Sequence, residues 1–451
     1  MEGLLKAIEG LENALSKAPN EAVRAHVQSA VTVMRNAVED HRSSAPASDT
    51  LARMTSVPEA VVSCRPPSTA LKKAQNGHGA ASDNGGTLPP PLSGALATAV
   101  KTWGFDIHQV AAAELPALCF GAMMQHPELE RVLPPVALTR LWKYVQVVAS
   151  RYRDNPFHSY RHAVDVTLGT SCLLRWTQEA HPGLLSDLQV VAVLLAAMVH
   201  DTDHPGVMNN FLVATRHPLA VLYNHQSVLE NHHIASAMAL TARPELDWLS
   251  PLPAAEQVRS ARRAPAPAAA AAAAHLLPLA PAAAPRPAVP APTVRLAQPS
   301  CVRAALSAQA ELRKAMIELV LATDVTTHIP FMKRFAEDVA AKQMSAMQAM
   351  TVVLKASDIS NPTRPLPIYA AWVEGIMREF FAQGDAEKAL GLPVSMNCDR
   401  ESVNVNKCQV GFISFIVAPI WKGVAEFLPE VKQQLLPVLQ ANLEHYQGLA
   451  S

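Results

Sequence analysis

Histidine and aspartate side chains concentrate in two short segments of the sequence. PFHSYRHAVDV contains His158 and His162, and VHDTDHPG contains His200, Asp201 and His204. Imidazole nitrogens with carboxylate oxygens are ligands suited to zinc and other transition ions, whereas an all-oxygen shell suits magnesium or manganese. A carboxylate can also bridge two ions, and paired divalent ions are the usual apparatus for in-line attack on phosphorus. These segments therefore predict a metal-dependent hydrolase.

The spacing and context of these residues predict how they are positioned. His158 and His162 are four residues apart, so on a helix they would lie on one face. The apolar run from Leu188 to Val199 is long enough for a buried helix, and it ends directly before His200. A further aspartate, Asp358, follows another apolar segment in LKASDISNP. Unpaired polar groups beside a packed interior are costly, and a metal ion would satisfy them.

Helical periodicity runs through nearly all of residues 93–449. Apolar residues recur at intervals of three and four in segments such as 138–148 and 312–320. Strand-like alternation between turn residues is scarce. The sequence therefore predicts an all-α fold, and one large helical domain fits a chain of 451 residues.

Three segments stand apart from this helical region. Residues 1–42 carry the pattern of two short amphipathic helices, which would serve either in dimerisation or in packing on the main domain. Residues 43–92 are rich in Ser, Ala, Pro, Gly and Asn, which predicts a flexible linker. Residues 259–308 are rich in Ala and Pro, which predicts a disordered surface insert or translated non-coding sequence.

Charge and cysteine content exclude several classes of protein. Lys and Arg together number 38, as do Asp and Glu, and no basic block appears, so no nucleic-acid partner is expected. The six cysteines are scattered without a CxxC motif, which favours free thiols in a reducing compartment. No signal peptide follows Met1, and the longest purely apolar stretch, Val190 to Val199, is too short to cross a bilayer. A cytoplasmic protein without a transmembrane segment is therefore expected.

Several motifs, in a fixed order from about Trp103 onward, resemble those of the class I cyclic-nucleotide phosphodiesterases. They are NPFHSYRHAVDV, HDTDHPG, LYNHQSVLENHH, LVLATD, ASDISNPTRPL, EFFAQGDAEKALGLP and QVGFISFI. The resemblance implies an all-α catalytic domain of the HD type over residues 93–449, interrupted by the insert. It also implies hydrolysis of 3′,5′-cyclic nucleotides to 5′-nucleoside monophosphates.

The resemblance assigns roles to individual residues. It implies a zinc ion bound by His162, His200, Asp201 and Asp358. A second ion, magnesium with manganese as the alternative, would touch the protein only through Asp201, and a hydroxide between the ions would attack phosphorus. His158 would protonate the leaving O3′ oxygen.

The remaining implied roles concern the substrate and the surroundings of the metals. The nucleotide-binding residues would be Gln409, which would hydrogen-bond the purine edge, Phe412 and Ile376, which would clamp the ring, and Asn361 and Tyr369. His204 and Glu230 would orient metal-bound water and the acid. Asn361 matches the position at which cAMP-preferring members carry asparagine, so cAMP is favoured and cGMP is possible.

Some positions depart from the family pattern, and two other functions stay open. Phe157 stands where many members have tyrosine, His225 replaces a common aspartate, and the segment 336–350 is short. One alternative is another HD-type nucleotide phosphohydrolase, against which the QVGFI and SDISNP segments argue. The other is a catalytically silent cyclic-nucleotide-binding regulator, against which the retention of His158 and of all four ligand positions argues.

Overall fold

The computed structural model describes residues 88–252 and 299–450, with the backbone alone for 299–307. The chain divides into two units, 1–82 and 83–451, of which only the second contains described residues. The expected helices of residues 1–42 and most of the expected linker and insert lie outside the described residues.

The described part of the chain is built from α-helices joined by turns, short 3-10 helices and loops, and it contains no β-strand. In chain order the helices are α1 (Gly94–Ala99), α2 (Leu115–Met123), α3 (Glu128–Val132), α4 (Pro135–Ala149), α5 (Tyr160–Ala180), α6 (Asp187–Val199), α7 (Asn209–Ala214), α8 (Pro218–Leu222), α9 (Val228–Ala239), α10 (Pro299–Leu321), α11 (His328–Ala340), α12 (Ala346–Asp358), α13 (Leu366–Ala389), α14 (Val405–Phe412), α15 (Ala418–Phe427), α16 (Pro429–Gln434) and α17 (Leu436–Ala450). A π-helical turn, Ile413–Val417, joins α14 to α15. The expected all-α fold class is confirmed.

Helix α6 lies at the centre of the core. It begins with a capping box, in which the Ser186 hydroxyl accepts from the Gln189 N–H and the Gln189 side chain accepts from the Ser186 N–H. Every residue of Asp187–Val199 except Gln189 is buried, so the helix is apolar on all sides and is surrounded by α3, α5, α10 and α12. Its C-cap residue is His200, as the apolar run predicted.

Helices α5 and α12 pack against α6 and against each other. Helix α12 begins with a second capping box, Ser345 with Gln348, and its last residue is Asp358. A buried ion pair also ties α5 to the turn that follows α12. Arg364 donates to Asp165 at 3.0 Å, both side chains are 2% exposed, and the guanidinium lies over the Trp103 ring. Removing one partner of such a buried pair typically costs about 3–5 kcal/mol, so this pair fixes the turn relative to α5.

The start of α10 corrects one boundary predicted from composition. The helix begins at Pro299, so residues 299–308, which the composition assigned to the insert, form its first part. Proline is tolerated at the first position of a helix, and no proline follows Pro299 until Pro330. The composition of residues 259–308, taken as a whole, concealed the transition from the Ala/Pro-rich segment to the helix at Pro299.

One helical stretch in the described part, Val405–Phe427, is long and apolar enough to cross a membrane by length and composition, and 39% of its most apolar window is buried. Polar residues such as Lys407 and Lys422 interrupt it, so no uninterrupted apolar run reveals it in the sequence. Gln409 in this stretch lines a cavity, and Trp421 is fully buried in the core. The stretch therefore contributes side chains both to the cavity wall and to the core.

Candidate functional site

Four side chains from three helices converge beside the C-terminal end of α6. They are His162 on α5, His200 and Asp201 directly after α6, and Asp358 at the end of α12. One ligand atom from each lies within 4.8 Å of the other three. The Nε2 atoms of His162 and His200 both lie 3.1 Å from Asp358 Oδ1, and His200 Nε2 lies 3.1 Å from Asp201 Oδ2. The arrangement is a cluster of two imidazoles and two carboxylates.

The hydrogen bonds of His200 show that this cluster suits a cation. Its Nδ1–H donates to the carbonyl oxygen of Ala197 at 2.8 Å, so a neutral ring presents a lone pair on Nε2 to two carboxylate oxygens. Burial lowers the pKa of His200, yet Asp201 and Asp358 raise it well above its usual value, which shows that the cluster stabilises positive charge. Two imidazole nitrogens and two carboxylate oxygens are a donor set that fits a divalent metal ion.

The second carboxylate oxygen of Asp201 points away from this cluster. Its Oδ1 lies 3.7 Å from Nε2 of His233, whose Nδ1–H donates to Thr202 O at 2.8 Å. Burial lowers the pKa of His233 to about 4, so its Nε2 carries a lone pair that faces the carboxylate. Asp201 thus offers one oxygen on each side, as a bridging ligand would. No role was predicted for His233, although it lies in the motif LYNHQSVLENHH.

His158 lies outside the helix that was expected to hold it. Helix α5 begins at Tyr160 with Ser159 as its N-cap, so His158 belongs to the preceding loop, and the spacing argument was wrong for this residue. Its ring and that of His162 are nevertheless 6.1 Å apart. Glu379 explains the loop conformation, because Oε1 accepts the N–H groups of Phe157 at 2.7 Å and His158 at 2.8 Å. These bonds tie the segment directly before α5 to α13.

Glu379 also holds the His158 ring. Its Oε2 lies 2.5 Å from Nδ1 of His158, which leaves Nε2 as the other donor. Burial lowers the pKa of His158, but the negative charge and hydrogen bond of Glu379 raise it, and the net value is about 9. The ring is therefore protonated at neutral pH. Glu379 was missed at the sequence level, because it is 221 positions from His158 and no local spacing connects them.

The two residues predicted to support the site occupy different positions. The His204 ring stacks on His158 at 3.9 Å between centroids and lies 5.4 Å from the ring of His233. Burial and the charge of His158 hold the pKa of His204 well below its usual value, so it is neutral. Glu230 instead accepts from Asn209 Nδ2 at 3.0 Å and 3.3 Å, and burial raises its pKa to about 7. His204 contacts the acid, whereas Glu230 contacts Asn209.

The loop that carries Asp201 and His204 is held at Asp203. This residue has a left-handed backbone, with φ of 62°. Its carboxylate accepts from Arg153 Nε at 2.8 Å and pairs with His232 Nε2 at 2.9 Å. Burial raises the pKa of Asp203, but these hydrogen bonds lower it to about 2. The loop is thereby tied to the segment before α5 and to α9.

A cavity of about 230 Å³ extends from this cluster. All five residues predicted to bind the nucleotide line it, and so do the predicted acid and one predicted ligand: Gln409, Phe412, Ile376, Asn361, Tyr369, His158 and Asp358. The remaining lining residues, which the sequence did not single out for binding, are mostly apolar: Phe157, Ile359, Trp372, Val373, Met377, Phe380, Asn397 and Cys408. The fold therefore brings all these predicted residues into one space.

Three polar side chains in the cavity wall, those of Tyr369, Gln409 and Asn361, bear on what the cavity can bind. The Tyr369 hydroxyl donates to Gln409 Oε1 at 2.7 Å, and both residues are buried. Because Oε1 accepts this bond, the Nε2 group of Gln409 can donate to a different partner. Nδ2 of Asn361 is buried and has no hydrogen-bond partner within the described ranges. Buried donors without partners are costly, so the cavity that Asn361 lines is suited to a ligand with acceptor atoms.

Comparison with known proteins agrees with this geometry. Residues 157–266 and 296–438 match the family described as 3′5′-cyclic nucleotide phosphodiesterase, and this match covers more than half of the chain. The chain belongs to this family. The expected resemblance is thus confirmed, and the interruption between the two matched ranges falls within the Ala/Pro-rich segment.

Individual relatives and one solved structure are also similar. The chain is 30% identical over 374 residues to 3′,5′-cyclic-AMP phosphodiesterase, isoform F, of Drosophila melanogaster, a match that covers 79% of this chain and 48% of that protein. It is 30% identical over 363 residues to 3′,5′-cyclic-AMP phosphodiesterase 4C of Rattus norvegicus, covering 77% and 57%. The chain thus spans about half the length of these relatives. The phosphodiesterase domain of the RhoPDE fusion protein from the choanoflagellate Salpingoeca rosetta shares the fold, with a TM-score of 0.60, 24% identity, and coverage of 78% of this chain and 95% of that domain.

Proposed function

We propose that this chain hydrolyses 3′,5′-cyclic nucleotides to 5′-nucleoside monophosphates, with cAMP favoured and cGMP possible. One observation carries the proposal: a single cavity is lined both by Asp358 and His158 and by Gln409 and Phe412. Such a cavity suits a molecule that joins a phosphodiester to a flat heterocycle. Membership of the family, and similarity to proteins named cyclic-AMP phosphodiesterases, support the same reaction.

The donor sets support two divalent metal ions. Zinc is proposed for the cluster of His162, His200, Asp201 and Asp358, because mixed imidazole and carboxylate ligands suit it. Magnesium, with manganese as the alternative, is proposed as the second ion, held through Asp201. When bound, such ions supply Lewis-acid activation of water and of phosphate oxygens.

His158 is proposed as the general acid. With Nδ1 held by Glu379, its Nε2–H is the proton that the ring can give to the leaving O3′ oxygen. A pKa of about 9 keeps the ring protonated at neutral pH, so the proton is present when substrate binds. A protein that only senses nucleotides has no need of this proton. The Glu379–His158 pair therefore favours an enzyme over a silent regulator.

The proposed selectivity for cAMP rests on the amide of Gln409. With Oε1 hydrogen-bonded to Tyr369, this oxygen can also accept from the exocyclic amino group of adenine, while Nε2 donates to the neighbouring ring nitrogen. Guanine presents O6 as an acceptor on the same edge and requires the opposite orientation of the amide. Asn361 Nδ2 can donate to a further ring nitrogen. Phe412 and Ile376 supply the apolar faces between which the ring would lie.

The reaction can be tested on the purified full chain, treated with a chelator and then loaded with zinc and magnesium. Turnover of cAMP, cGMP and a cyclic dinucleotide at equal concentrations would be followed by chromatography of the products. We expect 5′-AMP from cAMP and 5′-GMP from cGMP, with cAMP preferred. Preferential cleavage of the dinucleotide would support the other HD-type phosphohydrolase, and binding of cAMP without any turnover would support the silent regulator.

A cytoplasmic location stays a prediction. A homodimer formed through residues 1–42 also stays a prediction, because that segment lies outside the described residues. The dimer can be tested by sedimentation of the full chain beside a chain that begins after residue 42. The same number of protomers in the two would exclude this segment as the dimerisation element.

A further inference from the structure

A thiol lies in the wall of the cavity, at the end proposed to bind the base. Of the cysteines in the described part of the chain, Cys119, Cys172 and Cys398 are buried, whereas Cys408 is half-buried and lines the cavity. It directly precedes Gln409 on α14. Its thiol donates to Asn397 Oδ1 at 3.2 Å, and Asn397 lines the same cavity. A molecule that fills this end of the cavity would therefore lie beside the thiol.

A second observation indicates that the cavity that Cys408 lines is built for a ligand. Asn361 is 6% exposed, and its Nδ2 is buried without a hydrogen-bond partner among the described residues. The surrounding wall is apolar, with Phe412 and Ile376 among its members. A flat heterocycle with acceptor atoms satisfies both features. The identification of this heterocycle as a purine rests on the proposed function.

We propose that Cys408 is a covalent modification site for purine-like ligands that carry a soft electrophile, such as an α,β-unsaturated amide. In this reaction the sulfur of Cys408 forms a bond to the β-carbon of the amide. The carbon–carbon π bond breaks, and its electron pair takes up the thiol proton at the α-carbon. Nothing is oxidised and no group leaves, so the reaction needs no other reactant.

The environment of Cys408 makes such a reaction depend on prior binding. Burial raises the pKa of its thiol, so little thiolate is present at neutral pH and small reagents in solution react slowly. A ligand held in the cavity gains the rate advantage of proximity, which for well-oriented groups is large. Burial also raises the pKa of Cys119 to about 11 and that of Cys398 to about 12, and neither thiol lines the cavity. The adduct on Cys408 would occupy the space beside Gln409 and block nucleotide binding.

The test uses the metal-loaded full chain and adenine that carries a short acrylamide arm. Acrylamide alone serves as the undirected reagent, and the saturated propionamide analogue of the probe serves as the competitor. Intact mass and peptide mapping assign the adduct among all six cysteines. We expect an adduct on Cys408 that forms at least about tenfold faster with the probe than with acrylamide, because the cavity holds the electrophile near the sulfur. The competitor should slow it, and cAMP hydrolysis should fall in proportion to labelling.

Two variants complete the test, each compared with its own untreated activity. Cys408→Ser should lose the adduct, whereas Cys398→Ser, which changes a neighbouring buried thiol, should keep it. Equal rates with probe and acrylamide, absence of competition, or an adduct on another cysteine would overturn the proposal. Labelling is read by mass and not by turnover. Directed labelling of a chain that does not hydrolyse cyclic nucleotides would therefore refute only the proposed function, and normal hydrolysis without an adduct would refute only the role of Cys408.

Discussion

Two parts of the site differ in how their side chains are held. The metal end is the cluster of His162, His200, Asp201 and Asp358, and the base end is the part of the cavity wall with Gln409, Tyr369, Phe412 and Ile376. At the metal end, His162 and His200 are almost fully buried, and the carboxylates of Asp201 and Asp358 face them at hydrogen-bonding distances. At the base end, most of the wall is apolar, and the defined polar contact among the predicted residues is that of Tyr369 with Gln409. The metal end is a compact polar cluster, whereas the base end is a shaped apolar surface with a few oriented donors.

This difference predicts how each end responds to substitution. A missing ligand leaves the other polar groups of the cluster buried without a partner, and the loss affects every step that depends on the metal. A change at the base end alters one contact among many, so it should mainly affect substrate affinity and selectivity. The effects of substitution or deletion on turnover should therefore become smaller from the metal end to the base end and then to the insert.

The largest effect is expected from Asp358→Ala. Because Asp358 Oδ1 faces both ligand histidines, its loss should release metal and lower turnover on the order of 10³–10⁴-fold, since such an ion contributes several kcal/mol. Metal content by mass spectrometry and turnover of cAMP would measure it. Asp385→Ala is the matched control, because Asp385 is exposed and pairs only with Arg400. Retention of metal and rate in Asp358→Ala would show that Asp358 is no ligand.

His158→Asn should keep both metals and slow the hydrolysis of cAMP by roughly 10²–10⁴-fold, the usual contribution of a general acid. A nitrophenyl phosphodiester, whose leaving group needs no proton, should be slowed much less. Substrate affinity should change little, because the residues proposed to contact the base, Gln409 and Phe412, are unchanged. Equal losses on the two substrates, or loss of metal, would remove His158 from the role of acid.

Glu379→Gln should change the pH dependence of turnover. Glu379 is the main group that raises the pKa of His158 to about 9, so in the unaltered enzyme the activity should fall on the alkaline side near that pH. Without its charge, burial would lower the His158 pKa and only Asp201 and Asp358 would still raise it, so the alkaline limb should move to lower pH. We also expect roughly a 10–100-fold loss at neutral pH, as for other groups that orient a reactive side chain. An unchanged limb in the profile of kcat/KM would contradict the assignment.

The same pair has a consequence for stability. A histidine whose pKa is raised on folding contributes stability that is fully present below its unfolded pKa of 6.5 and is lost as pH rises through about 9. The difference in free energy of unfolding between the unaltered chain and Glu379→Gln should therefore shrink over this range. Denaturant titrations at pH 6 and pH 10 would measure it, and a difference that grows with pH would argue against a charged pair.

Tyr369→Phe tests the base end. Loss of the hydroxyl frees the Gln409 amide to rotate, so the preference for cAMP over cGMP should fall about five- to tenfold, consistent with one hydrogen bond. The effect should appear in KM for the two nucleotides, with kcat for cAMP nearly unchanged. Ratios of kcat/KM measured with both substrates decide it. A variant that loses turnover equally on both nucleotides would indicate that Tyr369 supports the fold rather than the selectivity.

The smallest effect is expected from deletion of residues 262–298. These residues lie outside the described residues, so the expectation rests on their composition. Their Ala/Pro-rich sequence offers too little apolar bulk for a core, and a change in loop length of this size costs on the order of 1 kcal/mol. Turnover and melting temperature should stay near those of the full chain. Loss of folded protein on deletion would show that the segment packs on the domain.

The meeting of the four His and Asp side chains was largely predictable, because metal-binding chemistry restricts residue type. Only a few side chains bind transition ions, so His162, His200, Asp201 and Asp358 could be singled out from type and local context. The base end was predictable only through resemblance to a family. Phe412 and Ile376 are ordinary core residues by type, and nothing local separates them from other apolar side chains.

Other features could not be inferred from local sequence. Glu379 supports His158 across 221 positions, and His233 faces Asp201 from a different helix, so no short-range pattern connects either pair. The assignment of His158 to a helix failed because spacing describes only residues that are already helical. The carboxylate of Glu379, from a distant helix, holds the backbone at Phe157 and His158 in another conformation.

The sequence by itself determined the helical class, through apolar periodicity, and the kind of chemistry, through the ligand types that follow buried runs such as Leu188–Val199. The tertiary structure decided which groups meet. It placed Glu379 against His158, and it oriented the Gln409 amide through a hydrogen bond from Tyr369. It also brought Asp358 and the residues of the base end to one cavity. The physical reason is that periodicity and residue type are local properties of the chain, whereas a pKa and an orientation depend on neighbours that only packing brings together.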